Sequence, residues 1–119
     1  MTELETALHT ARAAILADLT ARGVTDPAVV SLVEEAVVHR RWWVEQWPGG
    51  VGFVVGLVAQ DVQDGLLEQY GRWPICGDCE RAGEELHALS VEPELGPDPQ
   101  WVCGRTAAVV APVGELGPV

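Results

Sequence analysis

Cys76-Gly-Asp-Cys79 places two thiols at the spacing that lets a tight turn present both sulfurs to one ion. A third thiol, Cys103, follows 24 residues after Cys79. A structural zinc takes four ligands in a tetrahedron. The residue that would complete a second Cys-x-x-Cys after Cys103 is Thr106, so the fourth ligand must come from elsewhere. His87 is the only histidine beyond position 39 and lies between the cysteines. The expected metal set is Cys76, Cys79, His87 and Cys103, with zinc as the ion. Three other readings of these residues stay open: a redox Cys-x-x-Cys, a catalytic zinc with three protein ligands, and a module that keeps its shape without metal.

The surrounding residues run WPICGDC, HALSVEP, WVC and AAVVAPVGEL. This order resembles the C-terminal zinc-ribbon-like module of small uncharacterised actinobacterial proteins, whose pattern is WPxCxxC, HxL, WxC and a closing AxxGxL. The resemblance covers about Trp73 to Leu116, with a weaker match over Trp42 to Leu67. It implies that Cys76 and Cys79 form one metal-gripping turn and that Cys103 lies in the other. Thr106 departs from the four-cysteine ribbon. The resemblance implies no activity.

A second group of possible ligands lies on helices. Asp61, Asp64 and Glu68 recur at i, i+3 and i+7, one helical face, and Glu35 and His39 form an i, i+4 pair upstream. Glu35, His39, Asp61 and Asp64 would be the site of a metal-dependent hydrolase, faintly resembling all-helical nucleotide pyrophosphohydrolases. Val38 and Asp61 break that pattern, and a solvated acidic face is the simpler reading. VGFVVG lacks the Lys-Ser/Thr of a phosphate loop.

The elements that must position these residues are readable from periodicity. Leu4, Leu8, Ala11, Ile15 and Leu19 predict a helix from Thr2 to about Arg22, opened by Thr2 with Glu5 as a capping box and stopped at Gly23. Asp26-Pro27 opens a second helix carrying Val29, Val33, Ala36 and Val37. Arg40 to Trp47 alternates in a way that predicts a strand or extended segment, with continuation of the helix as the alternative. A third helix is expected from Val51 to Tyr70. Beyond Trp73, short strands are expected at His87–Val91, Trp101–Cys103 and Ala107–Ala111, a loop at Glu92–Gln100 and a frayed tail from Gly114. The fold class expected is α+β: two or three N-terminal helices, residues 1–72, packed on a small zinc-ribbon-like β module, residues 73–119.

The chain has 119 residues, 18 acidic and 7 basic side chains, and a net charge of −11. All seven basic residues are arginine. Residues 1–48 carry four arginines and seven acids, net −3; residues 49–119 carry three and eleven, net −8. Such a surface repels phosphate backbones and anionic membranes. A nucleic-acid-binding ribbon is therefore the third choice. No basic-apolar leader is visible, the longest apolar run is half of what a bilayer needs, and an odd number of cysteines argues against a secreted disulfide framework. A cytoplasmic protein is expected. Trp42, Trp43 and Trp47 crowd six residues and are the candidate interface to a protein partner or a second copy. The function expected is that of a non-enzymatic interaction or adaptor protein with a structural zinc.

Overall fold

The computed structural model describes residues 1–118. Its architecture is α+β, with helices packed on a small three-stranded antiparallel sheet. Helix α1 spans Glu3–Ala21, with the Thr2 hydroxyl accepting the Glu5 N–H as its cap. It ends where Gly23 takes φ +74°, so that Val24 and Gly23 donate to the carbonyls of Leu19 and Thr20. Helix α2 spans Pro27–Gln46, a 3₁₀ turn follows over Pro48–Phe53, and α3 spans Val54–Gln69. A five-residue helix α4, Gly77–Arg81, precedes strands β1 (Ser90–Glu92), β2 (Gln100–Val102) and β3 (Val109–Pro112), hydrogen-bonded in that order.

The segment Arg40 to Gln46 is helical, not extended. Its buried row runs Val33, Val37, then Val44, seven residues on, with Arg40 at the intervening helical position. A charged residue in that row hides the period. Arg40 fits there because Asp61 of α3 takes it in two hydrogen bonds of 2.6 and 2.8 Å, and because its guanidinium lies 5.3 Å from the centre of the Trp43 ring. Arg12–Glu34 and Arg41–Glu5 tie α1 to α2. The third helix opens at Val54 instead of Val51, because the 3₁₀ turn takes in Val51, Gly52 and Phe53.

One core holds both halves of the chain. Leu8, Ile15, Val33, Val58, Val62 and Leu66 from the helices share it with Trp73, Leu89, Trp101, Leu116 and the three cysteines. The expected frayed tail is instead anchored. Asp18 of α1, fully buried, accepts hydrogen bonds from the Trp101 indole N–H (2.8 Å), the Gly114 N–H (2.7 Å) and the Leu116 N–H (2.9 Å). Leu116 is buried in consequence; Val119 lies outside the described residues. Gln63 of α3 makes a second tie, donating to the carbonyls of Trp73 (3.1 Å) and Leu89 (2.8 Å). Among the described residues no helix is long and apolar enough to cross a membrane.

Candidate metal centre

Four ligand atoms converge at the junction of α4 and the sheet. Cys76 caps α4 and Cys79 lies one turn on, so a short helix instead of a simple turn brings the pair onto one face. Gly83, at φ +76°, ends that helix: Glu84 and Gly83 donate to the carbonyls of Cys79 and Glu80. His87 is held opposite by a two-strand bridge. The Cys76 N–H donates to the His87 carbonyl (2.9 Å), the Leu89 N–H to the Pro74 carbonyl (2.7 Å), and Ile75 pairs with Ala88. Cys103 leaves the end of β2 in a turn closed by Ala107 N–H to the Cys103 carbonyl (2.7 Å) and Cys103 N–H to the Ala108 carbonyl (2.9 Å).

The sulfurs of Cys79 and Cys103 are 3.7 Å apart, and the Cys103 sulfur is 3.7 Å from His87 Nε2. All four ligand atoms lie within 4.8 Å of one another, close enough to bind one metal ion. The three cysteines are buried and His87 half-buried. No disulfide links any of the three. His87 Nδ1 is 3.0 Å from the Ala88 carbonyl. That contact assigns the proton to Nδ1 and leaves the Nε2 lone pair free to ligate, the arrangement usual for metal-bound histidine.

The electrostatics favour anionic sulfur on two of the three. The hydroxyl and N–H of Thr106, in the turn after Cys103, lower the Cys103 thiol to about 6. Arg105 Nε donates to the Cys79 sulfur at 3.3 Å and, with His87, lowers that thiol too. Burial pushes Cys76 up. The interaction with the Cys79 sulfur raises His87.

Behind the cluster, Trp73 and Trp101 meet edge to face with centroids 5.4 Å apart. The Trp73 indole N–H is buried without a partner. Three contributors to this region lie outside the expected site: Arg105, Asp18 and Gln63. Asp18 was visible as an acid falling on the apolar row Ala11, Ile15, Leu19, where a charge needs a dedicated partner. Gln60 and Gln63 join α3 to the C-terminal segment; Gln60 donates to the Glu94 carbonyl at 2.9 Å.

The helical carboxylates are arranged differently. Glu35, His39 and Asp61 line one open groove between α2 and α3, and Asp64 is exposed outside its lining. Both Asp61 oxygens are taken by Arg40. Among the described residues, the cysteine–histidine set is the one group whose ligand atoms converge as a metal site. The tryptophan trio also divides. Trp43 packs partly buried against the core, edge to face with Trp47, and Trp47 leans on Phe53. Trp42 faces outward beside His39.

The chain belongs to the family described as domain of unknown function DUF8819, which matches residues 4–113. No curated protein matches the chain. No solved structure matches it either.

Proposed function

We propose that this member of the DUF8819 family is a cytoplasmic, non-enzymatic interaction protein whose C-terminal segment is a zinc ribbon closed by one structural Zn²⁺ on Cys76, Cys79, His87 and Cys103. The observation that carries the metal is the spacing of the donor atoms. Zinc bonds of about 2.3 Å to sulfur and about 2.0 Å to nitrogen give tetrahedral edges of about 3.8 Å for S···S and about 3.5 Å for S···N. The two edges in hand are both 3.7 Å. Three thiolates also select zinc over magnesium or calcium, which require oxygen. With four protein ligands the coordination sphere is closed, which favours a structural ion over a catalytic one.

Three thiolates and one Zn²⁺ leave the centre at −3 + 2 = −1. Arg105, donating to the Cys79 sulfur, is the cation that offsets it. The ion would supply what strands of three and four residues do not. Structural zinc contributes on the order of 10 kcal/mol in isolated finger peptides. The test is metal content by mass spectrometry on protein purified without added zinc. About one equivalent per chain is expected, with loss of the C-terminal fold on chelation; under about a tenth of an equivalent, with folding indifferent to chelator, would overturn the assignment.

A further inference from the structure

Every arginine of the chain is already engaged within it. Arg12, Arg40, Arg41, Arg81 and Arg105 pair with acids, and Arg22 and Arg72 donate to backbone carbonyls. Of the 18 acids, five enter those pairs, which leaves 18 − 5 = 13 outside any ion pair among the described residues. Two of these acids, Glu35 and Glu45, flank an apolar centre on the outer face of α2. Glu35, Val38, His39, Trp42, Glu45 and Gln46 fall at i, i+3, i+4, i+7, i+10 and i+11, and all are exposed. Val38 is 64% and Trp42 58% exposed, large values for apolar side chains on a helix whose opposite face is core. Glu35 and Glu45 lie at the two ends of this stripe and enter no ion pair among the described residues. Trp43, one position on, already holds the Arg40 cation against its ring, while Trp42 is stacked only with His39.

We infer that this stripe of α2 docks a cationic, arginine-bearing helical segment of another protein, resting on the reading of the chain as an interaction protein. Val38 and the Trp42 ring take the apolar side of such a segment. Trp42 offers a π-face to a guanidinium, and Glu35 and Glu45 meet the flanking cations. A second copy is disfavoured as the occupant, because it would set Glu35 and Glu45 against the same two acids and bring together two chains of net −11 each.

The test uses the zinc-loaded full chain, labelled with ¹⁵N. It is titrated with a synthetic amphipathic helix carrying Arg and Leu at i, i+4 spacing, and with its counterpart in which every Arg is Glu. The Arg peptide is expected to move the Trp42 indole signal and the amides of Glu35–Gln46 while leaving the Trp73 and Trp101 indoles in place. Trp42→Ala should weaken it about tenfold, as for an interface anchor, and the Glu35→Gln/Glu45→Gln pair about threefold. The unmoved indoles of Trp73 and Trp101 report that each variant is folded. Three outcomes overturn the assignment: shifts spread over the acids of residues 78–94, equal binding of both peptides, or a concentration-dependent dimer that protects Trp42 in sedimentation. Shifts on another face would overturn this docking site and leave the interaction reading standing. Binding of neither peptide on any face, with a monomer in sedimentation, removes support from both.

Discussion

Thr106 sits where a second cysteine turn would carry its second thiol, in the turn that follows Cys103, and it lowers the Cys103 thiol. A thiol at that position would lie in the same turn as Cys103. His87→Ala should therefore weaken zinc retention by at least about tenfold, and adding Thr106→Cys should restore it by supplying a fourth thiolate. Competition with a chromophoric chelator measures both; a double variant no tighter than His87→Ala would show that position 106 does not face the ion. Acid acts on the same sulfurs. Cys103, held at about 6, stays a thiolate at neutral pH, so its contribution is present above the ordinary thiol value and is lost as pH falls through about 6. Zinc retention should weaken steadily as pH falls from about 7.5, because Cys76, raised by burial, must lose its proton to ligate, and more steeply below about pH 6 as Cys103 protonates too. The convergence of Cys76, Cys79, His87 and Cys103 was legible because thiols are few and spacing limits their partners. Arg105 was not, because its guanidinium meets Cys79 only after the turn at Cys103 and α4 are folded against each other.

Among the elements, the junction of α2 and the 3₁₀ turn has the least room. A Cβ on Gly50 would lie 2.5 Å from Trp43 Cζ3 and 2.8 Å from Trp47 Cε3, both on rigid rings. Gly50→Ala should cost about 1–3 kcal/mol and alter the near-UV circular dichroism of the tryptophan pair. Gly65 on α3 provides the contrast. Its added Cβ would meet the Leu32 methyls at 2.8 and 2.9 Å, the far end of a flexible side chain. Repacking there is cheap and alanine favours the helix, so Gly65→Ala should change stability by less than about 1 kcal/mol. Urea midpoints for the two variants decide the matter, and equal losses would refute it. Helices α1 and α3 were legible from period alone. The end of α2 was not, because an arginine occupies its buried row and two adjacent tryptophans imitate strand alternation. Helix α4 was read as a turn because five residues carry no period.

Over the whole molecule, the thirteen acids outside any ion pair among the described residues repel one another, while the ion pairs between helices are few and partly exposed. Salt screens both, and the repulsion is the larger. The midpoint of thermal unfolding should rise between about 10 mM and about 0.5 M sodium chloride, as measured by calorimetry; a fall would mean that the helix-to-helix pairs dominate. The Asp18 anchor bears on how the chain comes to be folded at all. Its three partners lie 83, 96 and 98 positions downstream. At a synthesis rate of about 5–20 residues per second, the carboxylate waits about 4–20 s before they are made. During that interval α1 can coil and meet α2, but the groove that will receive Trp101 stays open around an unpaired carboxylate. The Asp18 anchor is thereby completed only once residues 101–116 emerge, and a nascent chain stalled before residue 116 leaves the exit tunnel lacks the final donor to Asp18.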